Sequence, residues 1–203
     1  MTLTLFWGSA SPFVRKVMAV AHELGIADEI ELRNTAAHPV ERDLSIQQAN
    51  PLAKVPAAQT ADGTPLYDSR VICEYLDSTC GGGLFPAPGP ARWTALRRQA
   101  LADGLLDAAL LIRYETLVRP EDHRWALWIE KQREKVFDAL AAMDADLPAP
   151  DCHDIGAISC GCALGWLGFR FPDLDWRSAH PALADWHDAF ESRPAMRATR
   201  PSA

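Results

Sequence analysis

Apolar and polar residues alternate from Thr2 to Trp7, with Leu3, Leu5 and Trp7 on one face, which predicts a strand. Gly8-Ser9-Ala10-Ser11-Pro12 breaks the alternation. Beyond it Val14, Val17, Met18, Ala21 and Leu24 recur at helical spacing until Gly25, so a helix is expected over 12–24. Ser11 suits its N-cap and Pro12 its first position. A second short strand is expected over 29–33. Residues 34–50 are polar and irregular, with one helical turn near 44–48. Lys54–Gln59 and Pro65–Tyr67 flank Asp62-Gly63, a hairpin signal, and Ser69–Asp77 again reads as helix.

The pattern then changes. Residues 81–90, GGGLFPAPGP, are too rich in Gly and Pro for regular structure and read as a linker between two domains, 1–80 and 91–203. Past the linker strand signals vanish. Helices are expected over 91–118, 121–146, 154–169 and 180–192, the third of them strongly apolar and therefore central. Six of the seven Trp lie in this half, which suits an all-α domain with an aromatic core.

Composition narrows the class. With 203 residues, 48% hydrophobic and 23% charged, the chain can bury a core and is not disordered. No apolar run approaches the ~20 residues of a membrane span, and the N-terminus lacks the basic and apolar regions of a signal peptide. Lys and Arg number 20 against 27 Asp and Glu, a net charge of -7 without basic clusters, so nucleic acid is not the expected partner. The five cysteines form no disulfide framework, which favours a reducing, cytoplasmic setting. Cys160-Gly-Cys162 lacks a second ligand pair and His153 alone does not supply one, so no metal is expected, and the cysteines read as small hydrophobes.

Three segments could carry chemistry. Ser11 lies at the strand-to-helix turn; a capping serine accepts a backbone N–H and still has its own proton to donate, so capping and ligand binding are compatible. In Asn50-Pro51-Leu52-Ala53-Lys54-Val55-Pro56, a proline interrupts a strand signal. A cis Val55–Pro56 bond would present the Val55 backbone to an extended ligand; spacing alone does not establish it. Tyr67-Asp68-Ser69-Arg70 opens a helix, where the polar pair either caps the helix or binds a carboxylate.

In this order, within strand-helix-strand-strand-strand-helix, these segments resemble the glutathione S-transferase family. The likeness spans nearly the whole chain. Ser11-Pro12-Phe13-Val14 sits where redox relatives carry Cys-Pro-x-Cys. NPLAKVP and Asp68-Ser69 match the family's cis-proline and γ-glutamyl-binding segments. Residues 102–109, 162–170 and 180–194 resemble its helical half. The resemblance implies a thioredoxin-like α/β N-terminal domain followed by an all-α domain, and a detoxifying transferase that joins glutathione to a small hydrophobic electrophile. Glutathione is then a co-substrate, and no further cofactor is implied. Ser11 would hold the sulfur as thiolate, with Ser9 as second candidate. Val55 would pair its backbone with the cysteinyl part, beside Pro56 and Phe13. Asp68 and Ser69 would hold the γ-glutamyl end, Asp68 being shorter than the more usual Glu. Lys54 either meets the glycyl carboxylate or is simply solvated, and Arg15 lines the turn or pairs inside its domain. Asp103 would reach the partner's γ-glutamyl end in a homodimer. Trp7, Phe13 and Tyr114, with the helix around 106–113, would wall a second-substrate site between the domains. A glutathione-dependent peroxidase or disulfide reductase, or a non-catalytic member of the fold, are the alternatives. The family's capping box at the central helix is half absent here, with Asp154 but Ala157 in its third following position.

Overall fold

The computed structural model describes residues 3–35 and 38–202 and divides into two compact units, one running to Arg92 and resuming at Arg193, the other spanning Trp93–Ser192. Residues 1, 2, 36, 37 and 203 lie outside the described residues, Thr2 of the expected first strand among them. The sequence reading carries the helical domain on to 203; the chain from Arg193 instead groups with the first unit.

The first unit opens with β1 (Leu3–Trp7), α1 (Pro12–Glu23), β2 (Ile30–Asn34) and a single turn, α2 (Leu44–Gln47). It continues with β3 (Ala57–Thr60), β4 (Pro65–Leu66) and α3 (Ser69–Cys80). The sheet order is β2-β1-β3-β4, with β1 parallel to β2 and antiparallel to β3. Leu3 and Leu5 are fully buried, as are Val17, Val20 and Ala21 of α1 and Ile72 and Leu76 of α3. β3 begins three residues later than its apolar run suggests, because Pro56 has no N–H to give the ladder. α3 runs past Asp77 to Cys80 and ends at Gly81, whose φ of 65° is the left-handed closure that glycine tolerates.

The Gly/Pro segment after α3 is irregular but pinned. Asp77, 6% exposed, accepts the Leu84 N–H on Oδ1 at 2.8 Å and the Phe85 N–H on Oδ2 at 3.0 Å. Arg92 pairs with Glu74, donates to the Pro86 carbonyl at 3.2 Å and lies 5.7 Å over the Phe85 ring.

Helices follow: α4 (Pro90–Leu117), α5 (Ala126–Ala145), α6 (Ile155–Arg170), α7 (Trp176–Ala179), α8 (Pro181–Glu191) and α9 (Pro194–Ala198). α5 starts later than its pattern suggests. The buried Glu115 carboxylate accepts the Trp125 N–H at 2.9 Å and Arg119 Nε at 2.7 Å, which fixes the preceding turn. α6 is buried along nearly its whole length, and a Cβ on Gly156 would stand 2.7 Å from the Ala95 carbonyl oxygen, so α4 and α6 cross closely there. Asp154 caps α6 by accepting the Ala157 N–H at 2.9 Å. Cys73, Cys160 and Cys162 are buried, and burial pushes the Cys160 thiol up to about 12; Cys80 is exposed. α7 and α9 were too short to register as periodic patterns. α9 packs on α1: Arg15, 4% exposed, donates to the Met196 carbonyl at 3.2 Å, and Arg193 forms a two-pronged pair with Glu23 at 3.1 and 3.0 Å.

Candidate active site

Three loops converge on one end of the sheet. β1 runs toward it and α1 starts just beyond; β3, antiparallel to β1 with Phe6 facing Ala57, begins there. β4, antiparallel to β3 with Leu66 facing Ala58, ends there and leads into α3. Register therefore brings Ser11, Lys54-Val55-Pro56 and Asp68-Ser69 to the same edge although they are up to 58 residues apart in sequence. The end of β2 joins them, since Thr35 donates both its N–H and its hydroxyl to the Trp7 carbonyl, at 3.0 and 3.2 Å.

Ser11 is half-buried with extended backbone angles, φ −84° and ψ 121°. Its N–H donates to the Gly8 carbonyl at 3.0 Å, and its Oγ accepts the Val14 N–H at 3.3 Å, a long bond that leaves the hydroxyl proton unspent. The first turn of α1 holds no acidic residue, so the positive end of the helix has no local counter-charge. Ser9 is exposed in the same turn. Phe13 is half-buried, with the buried Lys16 ammonium 5.8 Å from its ring centre. Trp7 is half-buried at the end of β1.

The Val55–Pro56 bond is cis. Among the described residues neither the N–H nor the C=O of Val55 pairs with another backbone group. Asn50, 3% exposed, builds the turn in front of it: Nδ2 donates to the Lys54 carbonyl at 2.9 Å and Oδ1 accepts the Leu52 N–H at 3.0 Å. Arg42 donates to the Pro51 carbonyl at 2.8 Å, and Ala53 holds a φ of 51°. Lys54 is exposed and Pro56 buried. The sequence pattern by itself leaves Asn50 without a role, although an Asn whose side chain can accept the N–H two residues on is a local turn signal.

The Tyr67–Asp68 bond is also cis. Asp68 is exposed and caps α3 by accepting the Arg70 N–H at 2.9 Å, which leaves its second oxygen uncommitted by that bond. Ser69 is 2% exposed in the first turn of α3. Two further candidate residues belong to α4 of the helical unit. Asp103 is buried at 3% exposure. Tyr114 is 38% exposed, and partial burial raises its phenol above the ordinary value, against an opposing pull from Arg113. Arg15 is committed to the Met196 carbonyl, which assigns it to holding α9 on α1.

Residues 10–79 match the model of the glutathione S-transferase N-terminal domain, and residues 126–189 that of the C-terminal domain. The chain is 31% identical to the uncharacterized GST-like protein YibF of Escherichia coli K12, over 94% of this chain and 95% of that protein. It superposes on a glutathione transferase family member from Pseudomonas fluorescens Pf-5, solved with bound glutathione, with a TM-score of 0.95 and 47% identity over 99% of this chain and 100% of that one. A second structure from the same organism, with bound S-(propanoic acid)-glutathione, gives a TM-score of 0.91 and 46% identity over 98% and 100% of the chains.

Proposed function

The chain belongs to the glutathione S-transferase family, and from that premise we propose that it is a glutathione transferase joining the tripeptide's sulfur to a small hydrophobic electrophile. The observation that carries the reading is the convergence of a free-handed serine cap, an unpaired Val55 backbone and the Asp68-Ser69 helix start at one sheet edge. Structures of relatives with bound glutathione and with a glutathione thioether support it.

The chemistry follows from the thiol. A free thiol has a pKa of ≈ 8.5, so little thiolate exists at neutral pH. Ser11 Oγ donates its proton to the sulfur anion while its lone pair stays on the Val14 N–H, and the uncompensated start of α1 adds positive potential. The thiol proton leaves to water; Ser11 is a stabiliser and not a base, since its own hydroxyl is far less acidic. The thiolate then forms the C–S bond as the bond to the leaving group breaks, giving a thioether and, with a chloro-nitroaromatic, chloride. The Val55 backbone pairs with the cysteinyl residue. Asp68 takes the γ-glutamyl ammonium and Ser69 with the α3 N–H groups its carboxylate, and Lys54 lies at the glycyl end. Phe13, Trp7 and Tyr114 are candidates for apolar contact with the electrophile. Asp103 of one subunit reaches the γ-glutamyl end held by its partner in a homodimer.

The test is calorimetric glutathione binding and conjugation of a chloro-nitroaromatic by wild type, Ser11→Ala and Ser9→Ala. Binding with conjugation lost only in Ser11→Ala is expected. Absence of glutathione binding overturns the reading; disulfide reduction without conjugation replaces it with the reductase alternative.

A further inference from the structure

The helical unit holds a partly open cavity of ≈ 180 Å³ that glutathione chemistry does not call on. Its floor is apolar, with Ile112 of α4 5% exposed, Val136 of α5 2% and Leu167 of α6 0%. Phe171 forms a wall and is held edge-on against Trp166, ring centres 5.9 Å apart at 60°. At the rim stand Arg133 and Arg170. The Arg170 guanidinium carbon stands 4.1 Å from the centre of the Phe169 ring, a cation–π contact. Its Nε is buried and meets no acceptor among the described residues.

Charge at this rim is unbalanced. Four other arginines of the unit reach carboxylates: Arg97 and Arg98 pair with Asp146, Arg119 with Glu115, Arg177 with Asp188. Arg170 instead has Arg113 as its charged neighbour, and burial together with that neighbour lowers its proton affinity. The carboxylate lining the cavity is Asp173, which is exposed and therefore well screened. A cation at the end of α6 is favoured by the helix C-terminus; the buried Nε without a carbonyl partner is not accounted for by that.

We propose that this cavity binds a monocyclic aromatic carboxylate, its ring on Ile112, Val136, Leu167 and Phe171 and its carboxylate on Arg170. The volume suits one ring, as a comparable apolar cavity of about 150 Å³ takes up benzene. A neutral ring would leave the buried Nε of Arg170 unpaired, and a cation would be repelled; an anion gives the partly buried guanidinium a planar, charge-assisted partner. The inference rests on the cavity alone and not on the reading of the sheet edge.

The experiment uses the full chain with 4-fluorobenzoate as probe and 4-fluorobenzamide as its neutral match, followed by fluorine NMR and calorimetry. The acid is expected to bind at least about tenfold tighter than the amide. Arg170→Gln, checked for folding by circular dichroism, is expected to erase that preference, and Arg133→Gln to reduce it. If Arg170→Gln does not fold, Arg133→Gln and loss of the preference in high salt carry the test. Equal affinity for acid and amide, no binding of either, or a preference untouched by both variants overturns the proposal. So does displacement of the probe by glutathione, which would assign the probe to the sheet edge.

Discussion

The starts of α1 and α6 are built alike and differ in what they have left to offer. Both are N-caps whose side-chain oxygen accepts the N–H three residues on: Ser11 from Val14 at 3.3 Å, Asp154 from Ala157 at 2.9 Å. Asp154 is a carboxylate, which can only accept, and the helix it starts is buried along nearly its whole length. Ser11 makes the longer bond, is half-buried at the sheet edge, and keeps a proton to give. Asp77 is the extreme of the first kind, each oxygen holding one buried N–H. Polar groups whose bonding capacity is spent inside the chain hold structure; a polar group with capacity left over, at a place where loops converge, is where a ligand can be met.

Four substitutions break or sharpen that contrast. The largest effect should be functional: Ser11→Ala is expected to lower conjugation kcat/KM on the order of 10²-fold, while its melting temperature moves little because the cap bond is long. A variant that loses stability and keeps activity would put Ser11 with Asp154. Next, Asp77→Ala strands two buried N–H groups and is expected to cost about 3 kcal/mol in urea denaturation, without changing glutathione affinity in the folded protein. An unchanged midpoint would mean the linker is held by other groups. Asp154→Ala is expected to cost about 1 kcal/mol, with conjugation intact. The smallest effect concerns Asp146, whose pKa is lowered chiefly by hydrogen bonds from Arg98, then Arg97. Its folded value lies below its unfolded one, so its contribution is complete above about pH 5 and fades as pH falls through the folded value. Asp146→Asn should therefore lower the melting temperature by a constant amount above about pH 6 and converge on wild type as pH falls through the folded value; a uniform drop at all pH values would count against the charge.

Much of the first unit was legible because its signals are local. Alternation marked β1, Ser11-Pro12 marked the start of α1, and Asp62-Gly63 marked the turn between β3 and β4. The common role of Ser11, Val55 and Asp68 came from the family resemblance, and the sheet order from the structure, since no local pattern specifies which strands pair. What escaped was tertiary. The role of Asp77 depends on where the chain goes seven residues later, and that of Glu115 on the Trp125 N–H. The cavity under Arg170 needs three helices at once, and in sequence Arg170 is only a basic residue ending an apolar run. α9 is five residues long and has no periodicity to detect; its place is set by Arg15 and Arg193.

That last contact has a bearing on how the molecule is made. A chain leaves the ribosome N-terminus first, and domains usually fold as they emerge. Here the helix capped by Ser11 is translated well before the groups that fasten it: the carbonyl that takes up the buried Arg15 belongs to Met196, 181 residues later, and the partner of Glu23 is Arg193. The unit made before the helices is thus completed by a segment made after them, and a chain stalled or clipped before Arg193 would carry every residue named at the sheet edge while leaving a buried guanidinium without that acceptor.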